Sequence, residues 1–499
     1  MIQYFLFLHH LLNTGFIQMR GLIWFKKDLR IIDQLALYHA CQQSPDGVIG
    51  LYIIDMAMWQ KHHVSHCQIE FILRGLQQLK LDLDAIGIPL LIKQIDKTEN
   101  IPACLLNITT EHKIDAVFFN REYEVNEKKR DKLVTAALTQ KNISVLSFDD
   151  QLIIPANLTL KSNGEYFKVF TPFKRNWLNV FSNNKNLSLL PKPKLINKMT
   201  IPASPLPATL PGIASSIDPA LWPAGEATAR KLLRAFTQEN LLHYDTKRDF
   251  PALDKTSKIS PYLAVGMISP RECFLTALDQ NNHELDSGNK GATIWMSELI
   301  WREFYRTILI EVPRICMNQA YQAITDKLPW RNDDSLLESW QQGKTGFPLV
   351  DAAMRQLNTT GWMHNRLRMV VAMFLSKNLF LDWRLGEKYF SEKLIDIDFA
   401  SNNGGWQWSA STGTDAVPYF RLFNPTSQSE RFDPEGKFIR HYCPELQAFN
   451  HRDIHNPYEK NPTLAAKSRY PKPIIDYKLS RVRILTAFKK LTDKREEDV

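Results

Sequence analysis

Between Gly21 and Asp149 the chain switches repeatedly between two periodicities, and this constrains its fold more than any other feature. The short apolar runs GLIWF, GVIGLYII, IPLLIKQI, IDAVFF and ISVLSF have the length and continuous hydrophobicity of strands buried on both faces. Longer amphipathic stretches separate them. In HCQIEFILRGLQQLKLDLDAIG, residues Ile69, Ile72, Leu73, Leu76 and Leu79 recur on one helical face. Strand and helix in alternation predict a parallel sheet with right-handed crossovers, a Rossmann-like α/β domain. The first strand runs into KKDLRIID rather than G-x-G-x-x-G, so the dinucleotide fingerprint is missing.

The pattern then changes. Six prolines between 191 and 211 exclude long helices and central strands there, and residues 151–222 read as a connector wrapped over the surface. From about Glu226 the periodicity is helical, as in ATIWMSELIWREFYRTILI and PLVDAAMRQL. The expected organisation is an α/β domain over 19–150, the connector, a helical domain over 223–485 and a basic tail over 486–499. Residues 1–18 are apolar, with no basic start and no clear cleavage site. They read as an extension before a second start at Met19 rather than as a signal peptide.

Composition narrows the partners. A formal net charge of +9 favours an anionic partner, nucleic acid before anionic membrane. Six scattered cysteines with no C-x-x-C argue against disulfides and cysteine-rich zinc sites, and for a reducing compartment, the cytoplasm. No segment reads as transmembrane, and a monomer is expected. GKTG at 343–346 is no phosphate loop, because Glu338 stands where the motif needs glycine. His62 with His66 lacks the H-E-x-x-H context, and His441, Cys443, His451 and His455 match no zinc spacing; no metal is expected.

Eight of the twelve tryptophans lie between 295 and 408, which places the chemistry in the helical part. Glu298, Trp301, Arg302 and Tyr305 fall on one helical face. They suit a wall for a planar hydrogen-bonding ligand; a surface ion-pair face with a packed indole is the ordinary alternative. GWMHNRLRMVVAMF sets Asn365, Arg368 and Met369 together, with His364 and Arg366 beside them. Two arginines and an amide suit phosphate and base contacts, although Met369 alone reads as a core filler. Asp396 and Asp398 could do acid–base work, or Asp396 could neutralise Arg368. Trp330, Trp383 and Trp406 are core indoles or, if close together, a path for an electron.

WFKKDLRIIDQLAL, ELIWREFYR, GKTGFPLVDAAMRQLNTTGWMHNRLRMVVAMFL and NNGGWQWSASTGTDAVPYFRLFNP, taken together, resemble the photolyase/cryptochrome family. The likeness runs from about Gly21 to about Leu485 and is nearest the class I cyclobutane pyrimidine dimer photolyases of bacteria. It implies light-driven DNA repair: excited reduced FAD, folded inside the helical domain, gives an electron to a flipped-out pyrimidine dimer and splits its cyclobutane ring. Such a reaction needs no nucleophile, in keeping with the lack of one in the motifs.

The resemblance also implies roles. Trp406, Trp383 and Trp330 would reduce oxidised flavin by light, with Trp406 nearest to it. Asn402 would face flavin N5, Asp396 would pair with Arg368 beside the ring, and Asp398 would fix flavin and ribose hydrogen bonds. Tyr244 and the run Thr256, Ser257, Lys258, Ile259, Ser260 would form the phosphate wall, with Trp295, Arg302 and Trp362 lining the pocket. Glu298 would bond the dimer, Trp301 and Met369 would pack on it and Asn365 would face it. Arg248, Arg366 and Arg421 would hold phosphates of UV-damaged DNA. YEVNEKKRD implies a methenyltetrahydrofolate antenna at His62, Asn126 and Glu127, although Met317 stands where the family has a lysine. A (6-4) photolyase would carry histidines where Asn365 and Met369 stand, and a signalling cryptochrome would replace Asn402. A relative preferring single-stranded DNA stays open.

Overall fold

The computed structural model describes residues 19–184, 187–194, 197–201 and 204–497, with side chains described to 491. The extension expected over residues 1–18 lies outside the described residues. The five apolar runs form β1 (Gly21–Phe25), β2 (Val48–Asp55), β3 (Leu90–Ile95), β4 (Ala116–Asn120) and β5 (Ser144–Phe148). All pairings are parallel and the order is β3-β2-β1-β4-β5. β1, β2 and β4 are buried along their whole length, the physical reason their sequences are continuous rather than alternating. Helices α1 (Leu35–Gln43), α2 (Met56–Lys61), α3 (His66–Asp84), α4 (Ile101–Glu111) and α5 (Val125–Thr139) complete the layer. All five residues of the α3 stripe are buried, and Ser65 caps the helix by accepting from Gln68 N.

At the carboxyl end of β1, where strand order reverses, a doubly wound sheet would hold a nucleotide. Here charged side chains fill much of the crevice. Lys26 Nζ meets Asp131 at 2.8 Å, Arg130 meets Glu122 at 2.6 Å, and Asp28 accepts from Gln34 and Asn120. The motif KKDLRIID that replaces the glycine fingerprint supplies Lys26 and Asp28. A cavity of about 120 Å³ remains.

The connector contains one long helix, α6 (Phe170–Asn183), while residues 187–194 and 204–211 carry neither helix nor strand, as their prolines require. The helical part then runs through α7 (Glu226–Glu239), α8 (Tyr244–Lys247), α9 (Ser260–Ala264), α10 (Pro270–Gln280), α11 (Lys290–Glu311), α12 (Asp334–Gln341), α13 (Pro348–Thr360), α14 (Asn365–Met373), α15 (Trp383–Lys393) and α16 (Phe399–Ala410). The last helix, α17 (Tyr477–Glu497), runs unbroken across position 485, so no structural break separates a tail there. Among the described residues, no helix is long and apolar enough to cross a membrane.

The two parts meet through buried ion pairs. Arg30 bonds Asp150 at 2.5 Å, and Arg271 bonds Asp33 and Asp150 at 3.0 and 2.9 Å. Glu226 accepts the backbone N–H of Ile31 and Ile32. Glu303 on α11 accepts from Trp177 Nε1 on α6 and from the N–H of Ile153 and Ile154. Such desolvated pairs carry a large penalty if one partner is lost, so they fix the domain geometry.

Candidate active site

Helix α11 crosses the centre of the helical part. Asn289 caps it by accepting from Ala292 N at 3.1 Å. Its functional stripe reaches three surroundings. Trp295 is buried against Phe236. Glu298 accepts from Arg248 at 2.6 Å. Trp301 lies flat on Phe170, with ring centroids 3.7 Å apart and planes 8° from parallel. Phe170 is itself pinned, its N–H donating to Asp415 Oδ2 at 3.0 Å.

One turn further, Arg302 donates to Gln151 O at 2.6 Å, and burial and the charge of Arg306 lower its guanidinium to about 10. Arg306 clasps Asp398 at 2.7 Å. Asp398 also caps α16 through Ser401 N–H and Oγ. Burial pushes the Asp398 carboxyl up, but Arg306, Arg302 and Ser401 outweigh it and hold it at about 2. Both oxygens of Asp398 are thus engaged by protein.

Asp396 differs. Its Oδ2 accepts from Arg368 at 2.7 Å and Ser260 at 2.6 Å, while the buried Oδ1 has no partner. An orphaned acceptor inside the protein costs about 1–3 kcal/mol, so the site fits a ligand bearing a donor. Trp362 reaches Ser260 Oγ at 3.3 Å on the same wall. Tyr244 is half-buried beneath Arg248. In the run 256–260, Lys258 sits at φ +49° with its ammonium on Asp254.

Asn402 donates to Glu387 O at 3.0 Å and Ser391 Oγ at 3.3 Å, which leaves its carbonyl oxygen for another partner. Next to it runs a buried network: Gln407 donates to Asn403, and Asn403 to Glu387. Burial raises the Glu387 carboxyl to about 7, partly offset by Asn403. Of the glycine pair in NNGG, only Gly404 is crowded: a Cβ there would lie 2.2 Å from the Tyr305 ring.

Trp406 and Trp383 are buried in one core, with Trp330 packed at its edge. Trp406 lies across the first turn of α15, where a Cβ on Gly386 would come within 2.1 Å of the indole. A backbone bridge from Arg331 N to Phe380 O, at 2.8 Å, ties the residue after Trp330 to the strand-like entry of α15.

The proposed lesion residues are gathered less tightly. Arg366 bonds Asp249 at 2.8 Å and lies 3.7 Å from Met369 Sδ. Asn365 is exposed at the start of α14. Arg421 is exposed on a loop whose carbonyls, Pro418 and Arg421, accept from buried Lys377.

In the α/β part, Asn126 Nδ2 meets His62 Nε2 at 3.0 Å and His62 Nδ1 meets Glu127 at 3.3 Å. Burial, reinforced by Lys27, lowers the His62 imidazole to about 4. Burial and Glu124 raise the Glu127 carboxyl to about 7. Neutral His62 therefore accepts from Asn126 and donates through Nδ1. Glu127 Oε2 has no partner, and both His62 and Glu127 line the 120 Å³ cavity. Met317, in place of the family's lysine, is 55% exposed. In GKTG, Asp351 occupies the amides of Thr345 and Gly346, and among the described residues no three His, Cys, Asp or Glu side chains are grouped to hold a metal ion. Phe170, Arg306 and Glu387 escaped the sequence reading; Gly386 beside Glu387, a hint of close packing, was the one usable signal.

The sequence profile for the FAD binding domain of DNA photolyase matches residues 295–490, and that for DNA photolyase matches residues 21–194. The chain belongs to the DNA photolyase family. It is 44% identical to the deoxyribodipyrimidine photo-lyase of Escherichia coli over 94% of this chain and 98% of that protein. It is 41% identical to the Vibrio cholerae protein of the same name, over 94% and 99%. Among photolyase-family structures it resembles a class III photolyase from Agrobacterium tumefaciens, with TM-score 0.86 and 31% identity over 96% of this chain and 99% of that one. A Synechocystis cryptochrome has TM-score 0.84 at 27% identity, over 95% and 100%. The helical part is accordingly an FAD-binding domain.

Proposed function

We propose that this photolyase-family chain repairs cyclobutane pyrimidine dimers in UV-damaged DNA. The observation that carries the reading is Trp301, flat on Phe170 and beside Glu298, in a chain 44% identical to a deoxyribodipyrimidine photo-lyase. Reduced FAD, excited by blue light, would supply the electron that splits the cyclobutane ring and would recover it afterwards, so the reaction is redox-neutral.

The chain's own residues bind and orient. Arg368 and Ser260 hold Asp396 with Oδ1 free to accept from a bound cofactor, the Asn402 carbonyl oxygen would serve flavin N5, and Trp295, Arg302 and Trp362 would line the pocket. Tyr244 and residues 256–260 form its phosphate side. Asp398 acts mainly through Arg306, bracing α11 against α16. Trp406, Trp383 and Trp330 relay electrons inward from the surface.

DNA binding asks for an exchange of partners. Arg248 is held by Glu298 and Arg366 by Asp249. Phosphates that draw Arg248 away free Glu298 to bond the dimer, which stacks on Trp301 against Met369 with Asn365 at its edge. Extrusion of a damaged step costs less than that of an intact one, which supplies part of the selectivity. A reduced folate, methenyltetrahydrofolate, is the proposed antenna at His62, Asn126 and Glu127. A cytoplasmic monomer acting on DNA completes the reading.

The test is repair of a duplex with one thymine dimer by reduced protein, in blue light and in the dark. Light-dependent recovery of thymine absorbance supports the reading, with Glu298→Ala losing repair but not DNA binding. Bound DNA and bound reduced flavin without recovery would sink it in favour of a cryptochrome-type photoreceptor.

A further inference from the structure

Helix α17 takes no part in the pockets above, and its acidic residues, Asp493, Glu496 and Glu497, all fall at its C-terminal end, which leaves its first fifteen residues one-sided in charge. From Tyr477 to Leu491 it carries Lys478, Arg481, Arg483, Lys489 and Lys490 and no Asp or Glu. Lys478, Arg481, Arg483 and Lys490 are exposed, and none of the four has an ion-pair partner among the described residues. A solvated end helix ordinarily mixes both signs. A surface of one sign repels itself and gains stability from an anionic partner. Burial, with the charge of Arg331 beside it, lowers the Arg483 guanidinium.

Position supplies the second argument. The apolar face of α17, Ile484, Phe488 and Leu491, is buried with Leu328 and Phe380. Tyr419, two residues before Arg421, stacks on Phe488 with centroids 5.2 Å apart and planes 1° from parallel. Two consecutive side chains then tie the helix to the Arg421 loop. Lys377 Nζ donates to Arg421 O at 3.0 Å, and Asn378 Nδ2 donates to Ser480 Oγ at 3.2 Å. The exposed side of α17, on which these cations flank Leu479 and Val482, therefore adjoins the loop on which Arg421 stands. The buried stripe cannot enter a bilayer, the exposed Leu479 and Val482 are only two apolar residues set among cations, and continuity with the Arg421 loop favours a phosphate backbone as the polyanion.

We propose that α17 binds backbone phosphates of the DNA arm extending past Arg421, through Lys478, Arg481, Arg483 and Lys490. The proposal rests on Arg421 as a phosphate contact. These cations touch no base, so they would add affinity for any duplex and no preference for the lesion.

The test uses the flavin-loaded full chain with all four residues changed to Gln. Its affinity for a dimer-containing duplex and for the same undamaged duplex is measured against salt, beside repair of a dimer in a short single strand. Expected are an equal fall of at least about tenfold for both duplexes, a log–log salt slope smaller by roughly 3–4, and unchanged short-strand repair. An unchanged slope with flavin content intact overturns the proposal, as does a loss confined to the damaged duplex. So does binding of the parent chain to anionic lipid vesicles as tight as to duplex. A variant with Lys478→Arg and Lys490→Arg should keep the parental slope. Should the parent not prefer the damaged duplex at all, the lesion reading fails while the slope still reports on α17.

Discussion

The two candidate pigment sites are built on opposite plans. In the proposed antenna cleft, His62, Asn126 and Glu127 largely hold one another, and Glu127 keeps an unpaired oxygen. In the candidate flavin pocket, part of the support comes from outside the proposed lining. Asp398 is fixed by Arg306 and Arg302 by Gln151 O, while Asp396 is held by two residues of the proposed pocket, Arg368 and Ser260. The carbonyls on either side of Asp396, Ile395 O and Ile397 O, both accept from Gln68 of α3, at 3.1 and 3.0 Å. The α/β domain thus helps set the position of the Asp396 carboxylate. A site that must place a cofactor to a fraction of an ångström is braced from behind; one that needs only proximity is not.

The sharpest way to break this contrast is Asp396→Ala. It strands Arg368 in a half-buried place, and the expected cost is about 3–5 kcal/mol with purified protein depleted of flavin. Chemical denaturation and the flavin absorbance ratio measure both; full flavin retention would show that the brace is dispensable.

Next is Glu387, whose folded carboxyl is raised to about 7. Its proton is retained on folding between about 4.5 and 7, so its contribution is fully present below 4.5 and is lost as pH climbs to 7, by about 3 kcal/mol. Glu387→Gln should flatten the stability profile in that window, read as melting temperature against pH.

Gln68→Leu comes third. It leaves two buried carbonyls without donors at a cost of about 2 kcal/mol, and it should weaken flavin retention although Gln68 is no flavin ligand. Unaltered retention would cut the proposed link between domains. The smallest effect belongs to His62→Ala, within about 1 kcal/mol in stability. Flavin content should not change, and only repair sensitised through added folate should fall.

What the sequence made legible follows the same division. The five strands could be read because burial on both faces leaves a continuous apolar run, and the α3 face because its stripe has the helical period. The Arg368–Asp396 pair was anticipated from charge complementarity and stands at 2.7 Å. Phe170 beneath Trp301 was not legible, since a phenylalanine 131 positions away carries no mark of its partner. Arg306 was masked by Arg302 one turn earlier, and Glu387 by the charges of WRLGEK, which read as a solvated face. Gln68 was lost among the polar residues of an amphipathic helix. Bracing is done by ordinary residue types over long separations, so it leaves little local trace.

The Gln68 clasp has a thermodynamic consequence. If melting of the sheet layer withdraws α3 from the 395–397 segment, flavin release cannot wait for the helices to unfold. Calorimetry of the loaded protein should then give one cooperative transition in which colour and structure vanish together, although the chain is built from two layers of different architecture.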